Sequence, residues 1–208
     1  MSSRGALPNS GSSPGWPRIA SPRGISFEAH DKKKEARVVV LVSCKPGLHP
    51  DLAGVDRMFN AELIQKLDAR LKENEEPVLV MKMPWLDKYK SDNPNWHAIH
   101  PYDIGKEANA DYLIDVEIDE MDIYKPGSRG QWLLGHSTVS VSAYDISKPI
   151  KDPAMRKELT FDYPRSGEIE AESRAHISNF RLKFVQRMAS DTSVLFSSSE
   201  ADHKRRFD

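Results

Sequence analysis

The stretch that decides the fold is HPYDIGKEANADYLIDVEIDEMDIYKPGSRGQWLLGHSTVSVSAYDIS, residues 100–147. It begins as a short helix over residues 101–109 and runs directly into a long hairpin. Apolar and polar residues alternate over residues 112–119, so one face of this strand is apolar and the other is mostly acidic, as in a half-buried antiparallel strand. After Glu120 the apolar positions change parity. This change predicts a bulge, because one extra residue turns every later side chain to the opposite face.

Two further strands complete an antiparallel meander. The proline and glycines of residues 125–130 predict a turn between the first two strands. The return strand covers residues 131–146, and a third strand alternates apolar and polar residues over 157–163. We therefore predict three neighbouring antiparallel strands in the second half of the chain.

Helices and strands alternate before this meander. Residues 38–42 are typical of a buried strand, and residues 52–72 carry apolar side chains at four-residue intervals, as in an amphipathic helix. Proline then introduces a second strand over 78–83, a short helix over 85–89 follows, and a long helix over 168–190 comes last. The predicted order is β-α-β-α-α-β-β-β-α, an α/β (α+β) fold with a mixed sheet, a C-terminal antiparallel meander and packed helices.

The chain of 208 residues is long enough for one domain, which we place at residues 36–196. Residues 1–30 are rich in Ser, Pro and Gly before the first strand, and this composition predicts a disordered tail; residues 197–208 are predicted to be a flexible second tail. No apolar run approaches the ~18 residues of a membrane-spanning helix, so no span is expected.

Composition restricts the partners and cofactors. The 30 basic and 31 acidic residues nearly cancel, which argues against a nucleic acid partner. Cys44 is the only cysteine, so an internal disulfide and a cysteine-based zinc cluster are excluded. No nucleotide-binding or catalytic motif is present, and we expect no cofactor.

Two groups of residues could in principle bind a metal ion. The acidic row of the first meander strand, Asp115, Glu117 and Asp119, could hold a hard cation, but alternate side chains on a strand lie about 7 Å apart. The preferred interpretation is a solvated face, which could also protect a sheet edge or contact a partner. His97 and His100 are three residues apart and His136 lies on a strand, but no HExxH or paired carboxylate-histidine motif accompanies them, so they are interpreted as surface histidines. No metal site is predicted.

One segment resembles a known type of domain. The run IGKEANADYLIDVEI, residues 104–118, is similar to the helix-to-strand passage of the N-terminal domains of TolB-like and CsgG-like envelope proteins and of outer-membrane lipoproteins such as LpoB. The segments NPNW, ADYLIDVEI, YKPGS, VSVSAYD and RLKFVQRMA resemble an uncharacterised group of bacterial lipoproteins, over residues 36–196. The resemblance implies export to the cell envelope and lipid anchoring on an N-terminal cysteine. The first residues contain no lipobox, so an anchor would need a start upstream; the alternative location is the cytoplasm.

Two hypotheses for function follow. The first is a non-enzymatic interaction or structural module of the bacterial cell envelope that binds another envelope protein. Its anchors at the interface would be the aromatic residues Trp132, Tyr124 and Trp96, although these residues could instead belong to the core. The alternative is a small α/β hydrolase or ligand-binding domain with a pocket near Ser43, Cys44 and His49, where the first strand ends. The oligomeric state stays open, because an edge strand of the sheet could pair with a second copy.

Overall fold

The computed structural model describes Phe27 and residues 35–196. The two predicted tails, residues 1–30 and 197–208, lie outside the described residues apart from Phe27. The Phe27 side chain is buried, and its ring meets the Tyr112 ring edge-on with 5.1 Å between the centroids. One residue of the predicted N-terminal tail thus packs into the core.

The chain alternates helices and strands before it forms the meander, as predicted. The elements are β1 (Ala36–Cys44), α1 (Val55–Glu73), β2 (Val78–Val80), α2 (Met83–Asp92), α3 (Pro101–Glu107), β3 (Tyr112–Tyr124), β4 (Trp132–Asp145), β5 (Met155–Tyr163), β6 (Ile169–Glu170) and α4 (Arg174–Ser193). Short 3-10 turns lie at Pro50–Leu52, Trp96–Ala98 and Val194–Phe196.

The strands form one mixed sheet in the order β2-β1-β3-β4-β5, and β6 pairs with β4 beyond the end of β5. β1 is parallel to both β2 and β3, while β3, β4 and β5 are antiparallel. The predicted α/β class, mixed sheet and C-terminal meander are confirmed. The register of β3 against β4 shifts between Ile118 and Glu120, which confirms the bulge, and a second shift that was not predicted lies between Asp122 and Tyr124.

Two helices cover one face of the sheet, here called the covered face. α1 contributes Phe59, Leu63 and Leu67 to its core, and α4 contributes Phe184 and Met188. They pack on the apolar side chains of the central strands: Val38, Val40, Val42, Ile114, Val116, Ile118, Val139 and Val141. Each of these strand residues is almost inaccessible to water, so the covered face supplies most of the burial that stabilises the fold.

The second face of the sheet is covered only in part. Side chains from α2, α3 and the Trp96–Ala98 turn pack on one end of β1, β3 and β4, around Val39, Leu41, Leu113 and Tyr144. Apart from buried Ser142, the remaining side chains of β3, β4 and β5 on this face are partly or fully exposed. None of the described helices is both long and apolar enough to span a membrane.

Several element boundaries differ from prediction, and two of the differences have a clear local cause. The second strand ends at Val80 instead of residue 83, because Met83 and Pro84 open α2, where a proline in the first turn fits the helix. The last helix begins at Arg174 instead of residue 168: Ser173 caps it by accepting a hydrogen bond from the backbone N–H of His176 at 3.3 Å.

The acidic row of β3 does not protect an edge of the sheet, so this part of the interpretation is wrong. β3 pairs with β1 on one side and with β4 on the other, so it is a central strand. The edge positions belong to β2 and to β5.

Candidate functional site

The candidate site is the uncovered part of the second sheet face, here called the open face. Cross-strand pairing places its members in rows, because directly opposed residues point to the same side of a sheet. Asp115 lies beside Ser142 and Arg156, and the next row joins Glu117, Ser140 and Glu158. The open face consists of Asp115, Glu117, Asp119, Glu120, Asp122, Trp132, Leu134, His136, Thr138, Ser140, Ser142, Arg156, Glu158, Thr160 and Asp162.

The bulge in β3 keeps the acidic side chains on one surface. Before it, Asp115 and Glu117 point to the open face by alternation. After it, the parity changes, so Glu120 and Asp122 oppose Thr138 and His136 of the open face. If β3 alternated regularly through position 119, without the bulge, these two carboxylates would point toward the helices. The bulge therefore builds a continuous acidic surface along β3.

Hydrogen bonds hold two of these carboxylates. Asp119 accepts a hydrogen bond from the Ser140 hydroxyl at 2.6 Å and forms an ion pair with Lys45, the residue after β1. Burial opposes ionisation of Asp119, but these bonds prevail and lower its pKa. Asp162 Oδ1 lies 2.8 Å from His136 Nδ1 on the neighbouring strand.

Asp115 behaves differently from its neighbours. Burial at the border of the packed end, followed by repulsion from Glu117, raises its pKa from 3.8 to about 6, while Arg156 two strands away acts in the opposite direction. The open face therefore becomes more negatively charged as the pH rises through the pKa of Asp115.

The histidines and carboxylates are engaged in local contacts. Among the residues that the structure describes, no group of three or more His, Cys, Asp or Glu side chains could hold a metal ion. The His97 ring lies against Trp96 at 3.6 Å between centroids, and His100 Nδ1 accepts a hydrogen bond from the N–H of Tyr102 at 3.2 Å. His97 therefore packs within the turn Trp96–Ala98, whereas His100 caps the start of α3.

The three aromatic residues predicted to contact a partner lie in three different environments. Trp132 is 36% exposed at the hairpin end of the open face, beside Glu170 of β6. Tyr124 opposes buried Leu133 and so faces the covered side, where its hydroxyl donates a hydrogen bond to Asp51 at 2.5 Å. Trp96 is 8% exposed and packs in the core beneath α2 and α3, with the Lys90 ammonium 4.1 Å from its ring centroid.

The alternative pocket residues do not share one environment either. Ser43 opposes Glu117 in the sheet and points to the open-face side, so Cys44, the next residue, points to the covered side. Burial, reinforced by Asp56, raises the pKa of the Cys44 thiol to about 12. A thiol with such a pKa is protonated at neutral pH, which is the opposite of an activated nucleophile. His49 Nδ1 accepts a hydrogen bond from the backbone N–H of Asp51 at 3.2 Å.

Sequence reasoning missed two cations at this site. Lys45 directly follows β1, and Arg156 lies two residues before Glu158 on β5. Alternation along the third strand of the meander could have placed Arg156 on the acidic face. No local signal in the sequence places Lys45 beside Asp119, because the bulge sets that contact.

No protein-family model matches the chain, and no curated protein matches it significantly. Solved structures with a similar arrangement include three bacterial proteins. The PelC dodecamer from Paraburkholderia phytofirmans has a TM-score of 0.43 and 15% identity, over 80% of this chain and 91% of that one. Lipoprotein GNA1162 from Neisseria meningitidis has a TM-score of 0.45 and 10% identity, over 74% and 98% of the two chains. A minor lipoprotein from Acinetobacter baumannii has a TM-score of 0.38 and 10% identity, over 76% and 87%. Bacterial lipoproteins are thus among the similar structures, at values that show no family.

Proposed function

We propose that the protein is a non-enzymatic interaction module of the bacterial cell envelope and that its open face binds another envelope protein with a cationic surface. The observation that carries the proposal is the open face itself: a broad, ordered surface of three strands with no described helix on it. A sheet face of this kind exposes many side chains in fixed positions, as a recognition surface requires.

Charge defines the class of partner. The carboxylates of the open face outnumber its cations, which are Arg156 and the Lys45 ammonium paired with Asp119. A partner with lysines and arginines at matching positions would associate rapidly and with strong dependence on salt. A partner rich in carboxylates would be repelled.

Trp132 supplies an anchor at the hairpin end of this surface. Aromatic side chains contribute a large share of binding energy at protein interfaces, and Trp132 is partly exposed although it is large and apolar. Tyr124 could assist from the opposite side of the hairpin only if the partner wraps around its end. Trp96 has its role in the core.

The envelope location rests on the sequence resemblance of residues 36–196 to bacterial lipoproteins. The low reactivity expected of Cys44 and its separation from Ser43 across the sheet give no support to the hydrolase alternative.

Site-specific photo-crosslinking in the source organism tests the proposal. A crosslinking amino acid is placed at His136 of the central strand β4, on the open face, and, as a matched control, at exposed Leu182 on the outer side of α4. We expect one envelope protein to be captured from position 136 and not from position 182, and capture to fall when Glu117 and Glu120 are changed to lysine. Equal capture from both positions, or capture that survives the charge reversals, would refute this binding surface.

A further inference from the structure

The outer edge of β5 is the basis of a second interaction. β5 is the last strand in the sheet order, and no described strand pairs with its other side. Such an edge presents backbone N–H and C=O groups that can pair with another strand. β2, at the opposite edge, has only three residues and offers a much shorter partner.

We propose that two copies of this chain pair through their β5 strands, antiparallel and centred on Leu159, and join their sheets into one. An antiparallel pair related by a two-fold axis perpendicular to the sheet keeps the faces of the two sheets aligned. Side chains that point to the same face of the sheet then lie opposite each other in the two copies. The strand Met155–Tyr163 is symmetric about Leu159, so this register pairs all nine residues.

The charges of β5 are self-complementary in this register. Arg156 of one copy opposes Asp162 of the second copy, and the symmetry repeats this contact at the other end. Both side chains are exposed, and Asp162, which already lies 2.8 Å from His136 through Oδ1, has a second carboxylate oxygen for such a pair. Glu158 opposes Thr160 of the second copy, which introduces no repulsion. Opposite charges directly across a strand pair stabilise it, whereas like charges destabilise it.

Neighbouring registers lack this match. Shifting the axis to Glu158 places two Glu158 carboxylates against each other. Shifting it to Lys157 opposes Arg156 to Glu158 but also places two ammonium groups against each other, and residues 160–163 then lie beyond the end of the partner strand. Shifting the axis to Thr160 places Glu158 of each copy opposite Asp162 of the other copy, so two pairs of carboxylates repel each other. Only the register centred on Leu159 combines full overlap with attractive charge pairs, so the sequence of β5 specifies one pairing.

The covered side of the edge adds apolar contact. Met155, Leu159 and Tyr163 are only partly buried against the core of the covered face. In the proposed pair, Leu159 meets its own copy on the axis and Met155 meets Tyr163 of the second copy, which removes the exposed parts of these side chains from water. The two open faces then lie on the same side of the joined sheet and form one larger surface.

Charge reversal tests the pairing in the full chain. Arg156→Asp and Asp162→Arg each convert two attractive contacts into repulsive ones, and we expect each variant to raise the dimer dissociation constant about tenfold or more in sedimentation equilibrium. An equimolar mixture of the two variants should recover a heterodimer, because each reversed charge then meets its opposite. The double variant R156D/D162R should dimerise with itself for the same reason.

Glu120→Arg, an equal charge change on the open face away from the edge, is the control and should leave dimerisation unchanged. Thermal unfolding followed by circular dichroism confirms that each variant is folded. A wild-type chain that stays monomeric at all concentrations overturns the proposal. Wild-type-like dimerisation of both single variants also overturns it. The same holds if neither the mixture of the single variants nor the double variant forms a dimer.

Discussion

Gly135 of β4 lies directly against the ring of Phe184 on α4. A Cβ atom built on Gly135 would lie 2.7 Å from both Cδ1 and Cε1 of that ring. Real Cβ atoms do not approach other atoms so closely, so the absence of a side chain at position 135 is what lets α4 approach the meander.

We therefore expect Gly135→Ala to lower the free energy of unfolding by about 1–3 kcal/mol, because the ring of Phe184 is fully buried and has little room to move. Urea denaturation measures the change. The same substitution is also made in a Phe184→Leu background. There we expect Gly135→Ala to lower the free energy of unfolding by clearly less, because the ring is absent. Equal costs in the two backgrounds would show that the contact does not limit packing.

The two tryptophans should respond differently to alanine substitution. Trp96 is buried beneath α2 and α3, so Trp96→Ala should lower the free energy of unfolding by about 3–5 kcal/mol. Trp132 is partly exposed, so Trp132→Ala should change stability by less than about 1 kcal/mol while it weakens binding of the crosslinked partner. Urea titration and a binding assay separate the two effects. A Trp132 variant that binds normally would remove this anchor from the interface.

Local patterns predicted the fold well because most of its elements are locally determined. The alternation of β3 and the stripe of α1 each depend on a few neighbouring residues, and both are present as predicted. The start of α4 was not predicted, since Ile169 continues the apolar stripe of the helix in sequence. Gly167 takes a positive φ of 76°, and residues 169–170 pair with β4 instead, a contact between segments far apart in sequence.

The site was less predictable for a related reason. Trp132 and Tyr124 flank the turn in sequence, and the second register shift, whose extra residue lies in β4, leaves them on opposite sides of the sheet. Likewise, Asp115 became partly buried because α2 and α3 cover the end of its strand. Side-chain surroundings of this kind come from packing between elements, which periodicity within one element does not contain.

Asp115 should make stability depend on pH. Its pKa is raised from 3.8 to about 6 in the folded chain, first by burial and then by Glu117. The folded state then binds the proton more tightly than the unfolded state, so stability is greatest below about pH 4 with respect to this group and falls as the pH rises toward 6. Asp115→Asn should remove this component and stabilise the fold at neutral pH by about 3 kcal/mol.

Urea denaturation at several pH values, with carboxyl NMR titration of Asp115, measures both quantities. Asp122→Asn on the exposed end of β3 is the control and should leave the pH dependence in place. An Asp115 carboxyl that titrates at its ordinary pKa would contradict the expected slope.

The Cys44 thiol should resist alkylation in the folded chain. Burial, with a smaller contribution from Asp56, raises its pKa to about 12, so the thiolate fraction at neutral pH falls by roughly three orders of magnitude relative to a free cysteine. We expect iodoacetamide to modify Cys44 at least about a hundredfold more slowly in the native state than in guanidinium, measured by mass spectrometry.

Cys44→Ser should leave partner binding intact, since the side chain points to the covered side of the sheet, away from the open face. Rapid alkylation of the native chain, together with loss of function in the serine variant, would instead favour a reactive thiol and revive the pocket near Ser43 and His49.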